Sequence, residues 1–370
     1  MTHHLRSTTM LAGLGLALAA ALPASAQTLD ELIEGARAEG RLTTIALPHS
    51  WCGYGDVIAG FKAKYPDIEV NELNPDAGSA DELEAVRSNK DNKGPQAPDV
   101  LDIGLAFGPA AHEEGLLTPY KVSTWDTIPD DAKEADGHWF GDYYGVMAFM
   151  VNTDLVENVP TSFEDLLKPE YVGQVSLTGD PRTSNQAILA VMAAGMARGA
   201  EPGAEAAEAG LQFFKELNEA GNFVPVTGRA GTLAQGTTPI LITWDYNALT
   251  WRDGLQGNPP AEVVVPSDAV LAGVYVQAIS AYAPQPNAAK LWMEYLYSDE
   301  GQLGWLKGYC HPIRFNDLVA RGVVPQELLD ALPPAEAYEA AAFPTIEQVN
   351  ANRDAVVGGW DAVVGADVVD

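Results

Sequence analysis

Three short stretches carry side chains able to bind or react, and each follows an apolar run. His49-Ser50-Trp51-Cys52-Gly53-Tyr54 combines hydrogen-bonding groups with a large indole face that attracts cations. Such a loop either closes the core with its tryptophan or turns that ring toward a ligand. Asp180-Pro181-Arg182-Thr183-Ser184-Asn185 puts a proline and hydroxyl residues ahead of an Ala-rich segment. Free N–H groups at a helix start suit a carboxylate or phosphonate, and the same residues serve equally as plain caps. Trp244-Asp245-Tyr246-Asn247 sets a ring face beside a counter-charge, a pattern for an organic amine, while Asp245 and Tyr246 are also hard oxygen donors. Asp102 closes a fourth apolar run and adds a carboxylate at a strand end.

Motifs for catalysis are missing. The chain has no G-x-S-x-G elbow, no G-x-x-x-x-G-K-[ST] phosphate loop, no H-E-x-x-H and no G-x-G-x-x-G after a strand. His112-Glu113-Glu114 is only a fragment of a metalloprotease motif. No cofactor is therefore expected, and an exported enzyme stands only as an alternative reading. Cys52 and Cys310 are too few for a zinc site and form no C-x-x-C.

The N-terminus has the form of a secretory signal. His3, His4 and Arg6 precede the apolar run from Met10 to Leu22, and Ala24-Ser25-Ala26 supplies small residues for cleavage after Ala26. The expected compartment is the periplasm, where cysteines can pair into a structural disulfide. The 370-residue chain has a formal charge of −30; losing the signal removes Arg6 alone and leaves −31. Such a surface repels nucleic acid and anionic lipid; it solubilises the chain and at most helps concentrate cationic solutes.

Apolar patterning alternates between strands and helices in an α/β order. Strands are expected at 42–47, 68–73, 99–104, 143–153, 175–178, 240–243, 262–265 and 274–279, with helices between them and Asn287 as the cap of one running to Tyr297. The three stretches and Asp102 then sit at strand ends, where open α/β sheets bind ligands. The run 143–153 is apolar almost throughout, as befits a strand covered on both faces.

Residues 271–317 carry a further signal. A buried strand is followed by Ala-Pro-Gln-Pro-Asn-Ala-Ala-Lys, then Ser-Asp-Glu-Gly-Gln, then Gly308-Tyr309-Cys310-His311-Pro312-Ile313-Arg314. This order resembles bacterial extracellular solute-binding proteins of ABC importers, in the branch that binds ferric iron, polyamines, thiamine and aminoalkylphosphonates. The resemblance implies a type II-like, two-lobed periplasmic-binding-protein fold with a central cleft and two interlobe crossings, near 143–153 and 268–280. It divides the chain into a discontinuous lobe of 27–142 plus 271–370, with the tail wrapped on that lobe, and a second lobe of 143–270. It also implies a monomer that delivers a small-molecule solute to an inner-membrane ABC permease, with the loops of Cys52 and Cys310 meeting near the cleft.

On this reading the ligand-binding set is His49, Ser50, Trp51, Tyr54, Asp102, Arg182, Thr183, Ser184, Asn185, Trp244, Asp245 and Tyr246. The rings of Trp51 and Trp244 close on an organic amine or an amino acid-like or aminophosphonate solute. Asp102 and Asp245 balance an ammonium, and Thr183–Asn185, with Arg182 nearby, holds an anion. The alternative is a ferric site built from Tyr246, Asp245 and His49; it is weakened because Asp245 stands where iron-binding members carry the first of two adjacent tyrosines. The resemblance gives Arg314 a structural role in its own lobe, and His311 reads as a loop histidine.

Overall fold

The computed structural model describes residues 27–332 and 340–369, so the signal-peptide expectation for residues 1–26 lies outside the described residues. Its strands are β1 Arg41–Ile45, β2 Glu69–Leu73, β3 Val100–Gly104, β4 Leu117–Thr118, β5 Phe140–Asn152, β6 Val175–Leu177, β7 Ile240–Trp244, β8 Ala261–Val264, β9 Ala272–Ser280 and β10 His311–Pro312. β1 and β2 pair in parallel, and the main sheet runs β3-β9-β5-β7-β6. Asp99 joins the two ladders: its N–H donates to the Thr43 carbonyl at 2.8 Å and its carboxylate accepts the Thr43 N–H at 2.7 Å.

β5 is the strand that joins the two halves. Residues up to Val146 pair with β9, whereas Met147–Val151 pair with β7 and Phe149–Asn152 with β8. Twelve of its thirteen residues are buried, so the apolar run reflects cover on both faces. The Ala-rich helix Asn185–Ala197 is buried for a related reason. Small residues let it approach Ala204–Glu219 so closely that a Cβ at Gly195 would meet the Ala206 carbonyl at 1.9 Å. Among the described residues no helix is long and apolar enough to cross a membrane.

Two expectations need correction. The last helix, Ile346–Val363, does not pack on the β1–β3 side alone, although Arg353 donates to the Ala106 carbonyl just after β3 and lies 5.4 Å over the Phe107 ring. Trp360 sits 5.7 Å from Phe214 and 6.1 Å from Phe223, and Asn352 Nδ2 donates to the Ile188 carbonyl, so this helix covers Asn185–Ala197 and Ala204–Glu219. Its apolar face found partners far away in sequence, which local patterning does not reveal. Nor is Asn287 a cap: Gln285 occupies the N-cap with Pro286 at the first helical position, and Asn287 Nδ2 donates to Glu39.

A cleft between the two halves

A cleft of about 500 Å³ opens where loops from both halves converge, within the size range of small-molecule sites. Ser50 and Trp51 line it from the loop after β1, Asp102 from β3, and Thr183, Ser184 and Asn185 from the start of helix Asn185–Ala197. Crevice logic at strand ends explains this set. The disulfide Cys52–Cys310, with its Cα atoms 5.4 Å apart, fastens the Trp51 loop to the segment ahead of β10. Trp51 Nε1 donates to the Tyr143 hydroxyl at 2.7 Å, and its ring meets Tyr275 edge-on at 5.5 Å. Trp51 and Tyr275 are therefore the aromatic wall.

The other expected site residues lie outside this lining. Trp244 is fully buried, its ring seated on Gly273, where a Cβ would come within 2.1 Å. Truncating it would open the core before it touched a solute. Tyr246 is buried one layer behind Trp51, at 5.6 Å between rings, and Asp245 accepts the Val146 N–H at 2.9 Å. Tyr54, one turn past the disulfide, points inward and accepts from Gln277 Nε2. His49 stays at the surface on Glu72 at 2.6 Å, so it does not join Asp245 and Tyr246 as a ligand set. Arg182 grips Asp180 and, in the tail, Asp367, both at 2.8 Å. Arg314 is buried against Asp317 in a structural role, and His311 stacks on Tyr144.

Sequence reasoning passed over Asp76, Ser79, Glu82, Arg229, Trp251 and Tyr275, all of which line the cleft. The strand-end rule applied to β2 reaches Asp76 and Ser79. Arg229 and Trp251 had no local signal. Arg229 Nη1 meets Asp76 Oδ1 at 2.9 Å and the Ala80 N–H reaches the Thr183 carbonyl at 3.4 Å, so the two halves touch across the cleft edge.

Carboxylates dominate the electrostatics. Asp102 is buried, accepts the Tyr143 hydroxyl at 2.7 Å and also interacts with the buried Asp142 carboxyl and the Tyr54 hydroxyl. Burial pushes it up to about 6. Glu82, which accepts the Asp102 N–H, and Asp142 are held well above the usual range by burial and by the Asp102 charge. Asn185 is buried, with its side-chain amide beside the Tyr275 hydroxyl. Helix Asn185–Ala197 also begins without a side-chain cap, leaving N–H groups at the cleft.

These acids fix a pH dependence. Asp99, buried at the β1–β3 junction, is raised to about 7 and Asp102 to about 6. A carboxyl raised on folding stabilises the fold below its unfolded value near 4, and that contribution is lost as pH rises through the folded value. Acids held low, such as Asp165 at about 2, lose their contribution only in stronger acid. The unliganded protein is therefore expected to be more stable at pH 5 than at pH 8, by a few kcal/mol at about 1.4 kcal/mol per unit. Denaturant titrations at the two pH values check this; a more stable protein at pH 8 refutes it.

Comparison with known proteins agrees with this geometry. A family model described as bacterial extracellular solute-binding protein matches residues 96–338. Among proteins of curated function, none matches the sequence. Solved structures share the fold. AfuA from Actinobacillus pleuropneumoniae, a periplasmic binding protein with fructose-6-phosphate bound, is 22% identical over 88% of this chain and 99% of its own, with a TM-score of 0.69. Iron-bound HitA from Pseudomonas aeruginosa is 15% identical over 85% and 97%, with a TM-score of 0.60. A putative spermidine/putrescine ABC transporter protein from Listeria monocytogenes is 12% identical over 87% and 99%, at 0.61. The architecture is thus the two-lobed periplasmic-binding-protein fold.

Proposed function

The chain belongs to the bacterial extracellular solute-binding proteins, and on that premise we propose that it is the periplasmic receptor of an ABC importer, closing on a small zwitterionic solute. The observation that carries this reading is the pairing of Asp102 and Asn185. Each is a buried polar side chain, and they reach one cleft from opposite halves of the chain. A solute with an ammonium near Asp102 and Glu82, between the rings of Trp51 and Tyr275, gains charge pairing and cation–π contact. Its carboxylate or phosphonate takes the open N-terminus of helix Asn185–Ala197, with Arg229 on the same rim. An amino acid-like or aminophosphonate solute has this form.

Mechanically, binding is lobe closure. We take the lobes as 27–142 with 271–332, and 143–270 with the tail helix, because β5 changes partners between Val146 and Met147 and that helix covers the second half. A ligand favours the closed form only by its differential affinity for it, and a solute held by both lobes has such a difference. The closed, loaded monomer is then the form offered to the permease.

A melting screen of the mature protein against amines, amino acids, aminophosphonates, sugar phosphates and Fe³⁺ tests the reading. A ligand at 100 times its Kd adds about 2.7 kcal/mol. A zwitterion is expected to give the largest shift, with a fall in the radius of gyration by small-angle scattering. Iron bound stoichiometrically, or a zwitterion that binds without compaction, would overturn it.

A further inference from the structure

We propose that His112, Glu134 and His138 form a binding site for one divalent transition-metal ion of the zinc class, separate from the solute cleft. None of the three lines that cleft. Their ligand atoms, two imidazole nitrogens and a carboxylate oxygen, all lie within 4.8 Å of one another, and all three residues are partly exposed. A zinc-class ion takes such atoms at about 2.0–2.2 Å, so the two stacked rings turn out of their parallel arrangement to aim their in-plane nitrogens at a single ion. Two histidines and one carboxylate are a donor set for such ions, with the remaining position left to water.

The surrounding backbone brings the set together. His112 is in the last turn of the short helix Gly108–Glu113, and Glu134 and His138 flank the turn that leads into β5. That turn is closed by Lys133 bridging Phe140 and by the Glu134 N–H donating to the Trp139 carbonyl at 3.0 Å. Trp139 is buried against Gly108, where a Cβ would stand 3.0 Å from the ring, and this contact sets the distance between helix and turn. Across the gap the rings of His112 and His138 stack at 3.8 Å. Glu134 accepts the N–H groups of Asp136 and His138 and meets His138 Nδ1 at 2.9 Å, a separation that lets one ion displace the proton between them and take both atoms. The net charge of −31 after signal removal raises the local concentration of cations.

Glu134 also holds its turn together, so His112 is the cleaner position to change; its side chain makes no hydrogen bond among the described residues. Tag-free mature protein, stripped with EDTA, is titrated with Zn²⁺ by calorimetry. The expected result is one ion per chain, at least about a hundredfold weaker in His112→Ala and in His138→Ala, and unchanged in His49→Ala. Zinc should also raise the melting temperature of the wild type but not of His112→Ala. No zinc binding by the wild type, or equal affinity in His112→Ala, would overturn the site.

Discussion

Asp102→Asn is expected to lower solute affinity at least a hundredfold while leaving the unliganded protein as stable as before, or more so at pH 8. The substitution keeps an oxygen to accept the Tyr143 hydroxyl and removes only the charge. Truncating one partner of a buried, hydrogen-bonded charge pair costs about 2–5 kcal/mol of binding, and a hundredfold is about 2.7 kcal/mol. Stability moves the other way because the carboxylate is desolvated without a cation; its folded value of about 6 marks the cost of ionising it there. The same logic gives wild-type affinity a pH dependence. The solute needs Asp102 ionised, so affinity should fall about tenfold for each unit below pH 6. Calorimetric titration of both proteins at pH 7.5, beside denaturant unfolding, reads both effects. Unchanged affinity in Asp102→Asn would remove the ammonium from this position.

The second large effect concerns the disulfide. Replacing Cys52 and Cys310 together by serine, or reducing the bridge, should cost about 5 kcal/mol on the chain-entropy model, since the bridge spans 258 residues of sequence. Both cysteines are fully buried, so serine adds desolvation of a hydroxyl to the loss. Solute binding should weaken too. Trp51 precedes Cys52, whose φ of 51° is an unfavourable left-handed conformation for a non-glycine residue. Released from Cys310, that residue can relax and carry the Trp51 ring off the wall it forms with Tyr275. Unfolding midpoints that coincide with and without reductant would show that the bridge contributes nothing.

Much of the architecture was legible because it follows from local pattern. The apolar run of β5, the Ala-rich helix after Ser184 and the strand–loop–helix order each have one stable placement in an α/β fold. The strand-end rule also led to Trp51, Asp102 and Asn185. It misled at Trp244. That residue ends β7 as expected, yet its ring turns to Gly273 on the strand beyond β5 because the missing Cβ there leaves room. A glycine two strands away is not visible from residue 244. Arg182 failed for a similar reason, since its partner Asp367 belongs to a tail whose docking depends on Trp360 finding Phe214. Tyr275 was read only as part of β9, and which face of that strand meets the cleft is decided by its register with β3, Gly104 opposite Tyr275.

The central claim is that the two lobes hold the two charges of one solute. Its most direct test is calorimetric titration of the best solute from the screen beside two of its derivatives. One is acylated on nitrogen, which removes the positive charge; the other is esterified at the carboxylate or phosphonate, which lowers the negative charge. Each derivative should bind at least tenfold more weakly than the parent, and Asp102→Asn should narrow the gap between the parent and the acylated compound. A derivative that binds the wild type as tightly as the parent would contradict the account.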